Sequence, residues 1–388
     1  MPNIKRAMMG AAGGVSGADG SLWAWGVNAY DGQLGLDDMV NRSSPVQVGD
    51  LTDWAQVGGY NRGGLAVKTD GTLWTWGNNE FGQRGNGDTT NSSSPVQVGS
   101  LTDWFMVDGG EEHCLAIKTD GTLWAWGRNN VGQLGMGDTT DRSSPVQVGS
   151  LTDWLATTSD DLLAGSPTKF SPGKDTNGII KDDGTLWTWG LGQAGVLGDG
   201  TATTKSSPVQ IGSLTNWLSI SPPSGGDPSF GAVKTDGTLW AWGSGVNGTL
   251  GQGNTTSHCS PIQVGSLTTW KYVATPMNDI AAVKTDGTLW TWGGNYQGQL
   301  GDGTTTSRSS PVQVGSLTDW GTLTGVGRAV RATKTDGTLW TWGMNYYGTM
   351  GDGTNVNKSS PVQIGSDTTW GNLMRPTDGG YTLTLRYL

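Results

Sequence analysis

Short runs of alternating apolar and polar residues recur along the whole chain, each bounded by Gly, Asp or Pro. The stretch LAVKTDGTLWTWG, from Leu65 to Gly77, holds two such runs on either side of Thr69-Asp70-Gly71. A period of two places Trp74 and Trp76 on the same face of a strand. The Asp-Gly pair predicts a tight hairpin in which both central residues have positive φ.

Two further strands are predicted before the pattern starts again. The tract SPVQVG, which carries Pro95 to Gly99, predicts a third strand with proline at its first position, where a missing N–H is harmless. The run FMV after Trp104 predicts a fourth. No stretch has an apolar periodicity that predicts a helix.

The pattern occurs seven times, so the fold is built from one repeated unit. The hairpin aspartates are Asp19, Asp70, Asp120, Asp183, Asp236, Asp286 and Asp336. Four short antiparallel strands per repeat predict an all-β fold, a seven-bladed β-propeller. The 21 Trp amount to three per repeat, which favours packing between blades over a chromophore or a sugar-binding platform.

The two ends of the chain predict how the ring closes. The C-terminal TLTLRYL alternates like the strand that elsewhere precedes the hairpin, and the N-terminal GGVSGADGSLWAWG begins at that hairpin. We therefore expect the termini to meet in one blade, which removes exposed sheet edges. The predicted organisation is an N-terminal arm at 1–13 and a propeller at 14–388.

The phrases DGTLWTWG and GQLG, a proline before a strand, a third Trp and a loop leading to LAIK resemble the repeat of the regulator-of-chromosome-condensation family. The resemblance implies a seven-bladed propeller. Functions in that family range from nucleotide exchange on a small GTPase to ultraviolet sensing by a Trp cluster and protein inhibition of β-lactamases, so the fold does not decide the function. Only His113 occupies the loop position where many members carry His, and no catalytic or exchange residue is carried over.

Composition excludes several classes of partner. The formal charge is −10 and the basic residues are scattered, which opposes nucleic acid as a partner. The sequence contains no run of 18 apolar residues, so membrane insertion is not predicted. The first residues make a poor signal peptide. Cys114 and Cys259 stand at different positions of different repeats, so no disulfide framework is predicted.

Candidate chemistry is sparse. The pairs His113-Cys114 and His258-Cys259 lie at repeat positions expected to be far apart, so no metal site is predicted. The GDGTTT loops lack the alternating acidic ligands of a calcium loop and are explained as ordinary Asp turns. We expect no cofactor and no enzymatic activity.

The repeats differ mainly between the third Trp and the next hairpin Asp, a distance of 16, 16, 29, 19, 16 and 16 residues, with the longest copy read as a loop from Leu155 to Asp182. Equivalent loops of a propeller share one face, and diversified loops on a rigid scaffold favour recognition over neutral drift. The candidate contact residues, expected to be exposed, are Tyr60, Asn61, Arg62, Glu111, Glu112, His113, Lys169, Phe170, Lys174, Phe230, Lys271, Tyr272, Met277, Arg328, Arg331 and Arg375.

The N-terminal arm suggests an assembly role. Lys5 and Arg6 would meet an acidic surface of a neighbouring subunit, and Met8 and Met9 would fill an apolar groove. The start KRAMMGAAG also resembles structural proteins of marine bacteriophages. The first hypothesis is a non-enzymatic virion protein, in a tail or on a capsid surface, whose variable face recognises a host-surface ligand (protein or glycan) or a neighbouring virion subunit. The alternative is a cytoplasmic or secreted bacterial propeller that binds proteins as an inhibitor or regulator, with GTPase exchange ranked last.

Overall fold

The computed structural model describes residues 20–154, 169–373 and 380–387. In these ranges the regular structure consists of β-strands and three short 3-10 turns, at Gln193–Gly195, Val246–Gly248 and Tyr346–Gly348. The strands form seven four-stranded antiparallel blades, five of them separate sheets and two joined through one bridge between Gly20 and Trp54. The predicted seven-bladed all-β architecture is confirmed.

Blades are numbered in chain order, and the strands of each are named from first to fourth. Blade 1 comprises β3 (Trp54–Tyr60), β4 (Gly63–Lys68), β5 (Leu73–Gly77) and β6 (Ser92–Gln97); blade 2 comprises β7 (Trp104–Gly109), β8 (His113–Lys118), β9 (Leu123–Gly127) and β10 (Arg142–Gln147); blade 3 comprises β11 (Phe170–Pro172), β12 (Thr176–Ile180), β13 (Leu186–Gly190) and β14 (Lys205–Gln210). Blade 4 comprises β15 (Trp217–Ser221), β16 (Ser229–Lys234), β17 (Leu239–Gly243) and β18 (His258–Gln263); blade 5 comprises β19 (Trp270–Ala274), β20 (Asp279–Lys284), β21 (Leu289–Gly293) and β22 (Arg308–Gln313). Blade 6 comprises β23 (Trp320–Val326), β24 (Ala329–Lys334), β25 (Leu339–Gly343) and β26 (Lys358–Gln363); blade 7 comprises β27 (Trp370–Leu373), β28 (Tyr381–Tyr387), β1 (Gly20–Gly26) and β2 (Arg42–Gln47).

The sequence repeat and the blade are out of phase. The strand that begins at Trp104 was predicted as the last strand of the unit that begins at Leu65, but it pairs with β8, the next strand along the chain, and is the first strand of blade 2. First strands pack against one another around the centre of the ring, as β3 does with β7 and β15 with β19. A repeat counted from one hairpin Asp to the next therefore supplies the third and fourth strands of one blade, its outer half, and the first and second strands of the next blade, its inner half.

Both ends of the chain contribute to blade 7, as predicted. Strand β28 pairs with β1 along its full length, from Gly20 opposite Tyr387 to Gly26 opposite Tyr381. The hydroxyl of Tyr381 reaches into blade 1, where it lies 2.5 Å from the carbonyl oxygen of Tyr60 and 2.7 Å from that of Gly63. The closing blade is thus bonded both within itself and to its neighbour.

Two local predictions are wrong. In the hairpin after Lys68 only Gly71 has positive φ (+79°), because the turn has three residues: the N–H of Gly71 donates to Lys68 O, and the N–H of Lys68 donates to Thr72 O. A type I turn closed by a left-handed glycine needs one positive φ, not two. Pro95 is also not the first residue of its strand; it lies inside β6, where the register with β5 shifts, and an outer strand with a bulge tolerates the missing N–H.

The second Trp of each pair links neighbouring blades. Trp126 is fully buried, and its indole N–H donates to Gln83 O of blade 1 at 2.8 Å. The equivalent indoles donate to the preceding blade at every junction: Trp25 to Thr349 O, Trp76 to Gln33 O, Trp189 to Gln133 O, Trp242 to Val196 O, Trp292 to Thr249 O and Trp342 to Gln299 O. The third Trp, such as Trp104, packs edge-on against both members of the pair, with ring centroids 5.9 and 6.3 Å apart.

This link requires the last glycine of the GQLG phrase. Gly85 has φ +74°, and a Cβ there would lie 2.8 Å from the indole nitrogen of Trp126. Both the left-handed backbone and the close approach of the ring exclude a side chain. The repeated glycine is therefore explained by packing between blades.

We predict that Trp126→Ala lowers the free energy of unfolding by roughly 3–5 kcal/mol, because it removes a large buried ring and the bond to Gln83. Trp124→Ala, which removes a half-buried ring from the same strand, should be clearly milder. Urea unfolding followed by circular dichroism measures both. Equal losses for the two variants would contradict the assignment of Trp126 as the link.

Candidate recognition face

The connections of each blade divide between two faces of the ring. We call the loop face the one that carries the connections from first to second strand and from third to fourth strand, such as 110–112 and 128–141 in blade 2. The N–H of Arg128 donates to Glu112 O at 2.9 Å, which joins these two connections. The hairpin face carries the Asp-Gly hairpins and the connections between blades.

Backbone hydrogen bonds join the first connections of successive blades around the loop face. The N–H of Asn61 donates to Glu111 O, that of Glu111 to Lys174 O, and that of Lys174 to Pro223 O, each at 2.9 Å. Farther round, the N–H of Met277 donates to Gly327 O at 2.8 Å. At these four junctions the variable loops are bonded to one another and are part of the scaffold.

Six of the predicted contact residues are buried, so the expectation of exposure is wrong for them: Tyr60, His113, Phe170, Phe230, Tyr272 and Arg331. The hydroxyl of Tyr60 lies 2.7 Å from Trp76 O, and Phe230 stacks on Trp242 with parallel rings 5.3 Å apart. These aromatic residues occupy positions inside the strands, where they fill the space between blades.

His113 ties blade 2 to blade 3. Its Nε2 lies 2.8 Å from Asn177 Oδ1, while the amide nitrogen of Asn177 donates to Gln133 O at 2.8 Å. Since the amide oxygen faces the imidazole, Nε2 carries the proton. Burial lowers the pKa of His113, opposed by the Asn177 hydrogen bond and the charge of Asp175, and its role is structural.

Two predicted lysines do not belong to the loops. Lys271 is exposed, but it follows Trp270 at the start of β19, near the hairpin face. Lys169 precedes β11, and its carbonyl accepts from the N–H of Ile180 near the hairpin end of β12. Both were assigned to the loop face because the whole segment between Trp and Asp was read as one loop.

The prediction of one long loop also misplaces the additional residues of blade 3. Within the predicted loop from Leu155 to Asp182, residues 169–182 contain β11, a short connection and β12. The connection that reaches the loop face spans only 173–175. The additional residues fall between Trp154 and Lys169, outside the described residues, as do Arg375 and the whole predicted arm with Lys5, Arg6, Met8 and Met9.

The remaining predicted residues lie on the loop face, and most of their charges are paired. Glu111 forms an ion pair with Lys174 across blades 2 and 3 at 3.2 Å, and Glu112 pairs with Arg128. Burial raises the pKa of Glu111, with the Lys174 ammonium opposing the shift. Arg328 contacts the Met277 sulfur at 3.4 Å. Asn61 is half-buried and Arg62 exposed.

A second set of diversified positions on this face was missed. It consists of the two residues before the first glycine of the GQLG phrase, which we call the tips: Ala29-Tyr30 (followed here by Asp31), Glu80-Phe81, Asn130-Val131, Gln193-Ala194, Val246-Asn247, Tyr296-Gln297 and Tyr346-Tyr347. Tip residues differ from copy to copy while the two Gly of the GQLG phrase are retained in all seven. Variable residues beside retained glycines were the signal that could have identified the tips from the sequence. The signal was missed because the connection as a whole is similar in all copies.

Aromatic tips fall on four consecutive blades. Tyr296 of blade 5, Tyr346 and Tyr347 of blade 6, and Tyr30 of blade 7 are 53–60% exposed, and blade 1 adds the half-buried Phe81. We call these five residues the aromatic arc. Blades 2, 3 and 4 carry Val131, Ala194 and Val246 at their tips instead.

Polar groups hold parts of the arc in place. The Arg62 guanidinium lies 5.2 Å from the centre of the Tyr30 ring, and that of Arg128 lies 4.8 Å from the Phe81 ring. The hydroxyl of Tyr296 donates to Asn247 Oδ1 at 2.7 Å. Tyr347 has φ +59°, a conformation that a bulky residue adopts only at a cost of about 1–3 kcal/mol. Ala194 and Asn247 at the equivalent tip position of blades 3 and 4 have nearly the same φ, +58°, so this conformation belongs to the turn and is not specific to an aromatic residue.

Two ionisable groups are buried without full pairing. Among the described residues, neither carboxyl oxygen of Asp279 has a hydrogen-bond partner of ordinary geometry. Burial raises the pKa of Asp279 well above the usual range, although the nearby Asn278 backbone and the Arg328 charge oppose the shift. Arg331 donates through Nη2 to Thr349 O at 2.8 Å, while Nε and Nη1 have no partner among the described residues. Burial lowers the pKa of Arg331 to about 9.

No described group of three or more His, Cys, Asp or Glu side chains is placed to hold a metal ion. The described part of the chain also contains no helix long and apolar enough to cross a membrane.

A closed ring of seven four-stranded blades with diversified loops on one face defines a repeat-built β-propeller. The chain belongs to the regulator of chromosome condensation (RCC1) repeat family, because the model of that repeat matches residues 19–59, 70–117, 120–156, 183–222, 236–275, 286–323 and 336–370. The family predicted from DGTLWTWG and GQLG is thereby confirmed.

Relatives share segments of this repeat. The E3 ubiquitin-protein ligase HERC2 of Homo sapiens is 35% identical over 82 residues, 21% of this chain and 2% of that protein. The Ultraviolet-B receptor UVR8 of Arabidopsis thaliana is 36% identical over 85 residues, 22% of this chain and 19% of the receptor. The chain thus spans only a small part of these relatives.

Solved structures match nearly the whole ring. Human WBSCR16 superposes with a TM-score of 0.80 at 18% identity and covers 95% of this chain and 99% of that one. Prp20p from Saccharomyces cerevisiae gives a TM-score of 0.80 at 17% identity, with 96% and 93% covered. At such identity the likeness establishes the fold alone.

We predict that Asp279→Asn raises the free energy of unfolding at pH 7.5 by roughly 1–3 kcal/mol, since it removes a carboxyl whose ionisation burial opposes. The folded-state pKa is raised, so the contribution of Asp279 to stability is present in full below its unfolded pKa of about 3.9 and is lost as the pH rises. The advantage of the variant should therefore shrink as the pH falls toward 4. Denaturant titrations across this range provide the measurement, and an advantage independent of pH would contradict the account.

Proposed function

We propose that this protein is a non-catalytic propeller that binds another protein through its loop face, with the aromatic arc as the anchor. The observation that carries the proposal is the run of exposed aromatic tips on blades 5, 6, 7 and 1. Exposed Tyr side chains flanked by Arg are typical of residues that dominate protein interfaces. The first connections of blades 5 and 6, which carry three of the exposed tips, are bonded to each other, and this lowers the entropy lost on binding.

Family members support a binding role. The structure of Prp20p was described together with its binding properties to Gsp1p and histones, and yeast RCC1 has been solved bound to Kap60. For this chain the partner class is taken as protein, since the net charge of −10 makes the propeller a poor match for nucleic acid. A glycan ligand would also contact aromatic rings, so it is an alternative outcome of the test.

The test compares two triple variants. Tyr296→Ser, Tyr346→Ser and Tyr347→Ser together remove three exposed apolar tips from the loop face. Leu101→Ser, Leu151→Ser and Leu317→Ser remove three leucines, 44–47% exposed, from the connections between blades on the hairpin face. Partners recovered from the source cells by quantitative affinity mass spectrometry are then measured against each purified protein by calorimetry.

We predict that the tyrosine variant weakens binding of a loop-face partner by roughly 100-fold, as for the loss of interface anchors, while the leucine variant binds within about twofold of the wild type. Unchanged circular dichroism and melting temperature serve as the folding control. A partner that tolerates the tyrosine variant but is lost with the leucine variant would overturn the proposal. Recovery of a glycan in place of a protein would change the ligand class.

Location in a virion is proposed on the sequence alone. If residues 1–12 are an assembly anchor, their deletion should leave a folded propeller that no longer co-sediments with virus particles, because an arm that becomes ordered on docking adds contacts outside the core. Particles purified from cells that produce either form provide the measurement. Loss of the fold, or unchanged co-sedimentation, would contradict the hypothesis.

A further inference from the structure

The hairpin face carries a repeated cation between two Trp rings. At the end of the second strand of blade 2, the Lys118 ammonium lies 4.7 Å from the centre of the Trp104 ring and 4.3 Å from that of Trp124. The equivalent cations are Lys68, Lys181, Lys234, Lys284, Lys334 and Arg386, each over the corresponding pair of rings. Each blade therefore ends its second strand with one cation in a cage of two indoles.

Four blades supply their own counter-ion from the residue before the third Trp. Lys118 pairs with Asp103 at 3.3 Å, and the same pairs are Lys68–Asp53, Lys181–Asp153 and Lys334–Asp319. In blade 7 the aspartate stands two residues earlier, and the longer Arg386 reaches Asp367 at 2.6 Å. Five of the seven cages thus hold a paired cation.

Blades 4 and 5 have the cage without the counter-ion. The residue before the third Trp is Asn216 in blade 4 and Thr269 in blade 5, and the part of the chain that the structure describes places no carboxylate in ion-pair contact with Lys234 or Lys284. The backbone is unchanged, because the carbonyls of Asn216 and Thr269 still accept from Thr235 and Thr285 as that of Asp103 accepts from Thr119. Only the acidic side chain is missing.

The nearest acidic residues are already committed. Asp236 and Asp286 accept hydrogen bonds from the N–H and hydroxyl groups of Thr238 and Thr288 within their hairpins. Burial lowers the pKa of Lys234 and Lys284, and these hairpin aspartates offset part of the shift. The two ammonium groups also approach the ring of the first Trp more closely, at 3.7 and 3.6 Å.

In blade 4 the unpaired ammonium borders a groove. A cavity of about 560 Å³ between blades 3 and 4 is lined by Lys234, Trp217, Trp240 and the exposed Leu214, with the Lys205–Asp199 ion pair at its side. The corresponding groove between blades 7 and 1, of about 410 Å³, is lined by Trp54 and Trp74 but not by Lys68, which pairs with Asp53. Loss of the internal carboxylate leaves the largely buried Lys234 ammonium in the wall of a groove that has both apolar and polar lining residues.

We propose that the groove at Lys234, together with the cage at Lys284, binds an acidic peptide segment of a partner protein, whose Glu or Asp side chains take the place of the aspartate that the other blades supply. The carboxylate would pair with the ammonium, and the aliphatic part of the segment would pack on Trp217, Trp240 and Leu214. Charge complementarity selects this occupant, since a neutral or basic segment would leave the ammonium unpaired. The site lies between blades 3 and 4, away from the aromatic arc on blades 5, 6, 7 and 1, and does not depend on the loop-face function.

The test uses a fluorescein-labelled synthetic peptide in which Glu and Leu recur among Gly, and the same peptide with Gln in place of Glu. Fluorescence anisotropy at low salt should show binding of the Glu peptide and at least about tenfold weaker binding of the Gln peptide. Asn216→Asp with Thr269→Asp restores the counter-ion found in other blades and should weaken the Glu peptide at least about tenfold.

The matched control is Ser213→Asp with Ser266→Asp, which adds the same charge to the same exposed connections. Blade 1 carries Asp50 at this repeat position, yet its Lys68 pairs with Asp53, so these aspartates should leave the cages open and binding within about twofold. Asp103→Asn, which frees Lys118, should add binding capacity. Circular dichroism checks the fold of each variant.

A site-specific readout completes the design. Acetylation by an amine-reactive ester, mapped by mass spectrometry, should be slowed at Lys234 by the Glu peptide and not by the Gln peptide. Protection at Lys234 and selective loss in the counter-ion variant would support the proposal. It is overturned if the Glu peptide does not bind, if both peptides bind alike, or if the two double variants weaken binding equally.

Discussion

The hydrogen bond from a buried indole to the carbonyl of the preceding blade is the interaction on which the ring depends. It occurs at all seven junctions, and each time a left-handed glycine admits the ring edge. Trp contributes a large buried area and one fixed donor, so a single residue sets both the distance and the rotation between blades. A propeller has no separate core at its centre, and the stability of the ring comes from these repeated contacts between neighbours.

Much of this could be predicted from the sequence, because the determinants are local and repeated. The hairpins at Asp70-Gly71, the strands around Trp74 and Trp76, and the closure of blade 7 by both termini follow from alternation, turn chemistry and copy number. The phase of the blade could not be predicted, since a strand beginning at Trp104 can pair either with the strand before it or with the strand after it in the chain. That choice is made by packing around the ring, which involves residues distant in sequence.

The recognition face was predictable in place but not in detail. Diversity between Trp104 and Asp120 pointed to one surface, yet Tyr60, His113 and Phe230 vary because neighbouring blades pack differently, not because they are exposed. Variation in a repeat protein thus has two sources, which only a structure separates. Variation at the tips is of the second kind, at exposed positions: Tyr296 and Tyr346 are exposed, and the first connections of their blades are bonded to each other.

The offset between repeat and blade bears on how such a ring diversifies. One repeat encodes the tip of one blade and the first connection of the next, and these can touch: Tyr30 and Arg62 belong to the same copy and stack across the junction. A unit duplicated or exchanged by recombination therefore carries an intact patch of contact surface with its own internal contacts. The unit also contains two strands of one blade and two strands of the next, so each half-blade pairs with the complementary half-blade of the adjacent repeat. The gene can shuffle binding surfaces while the strand pairing is rebuilt each time by the same conserved half-blades.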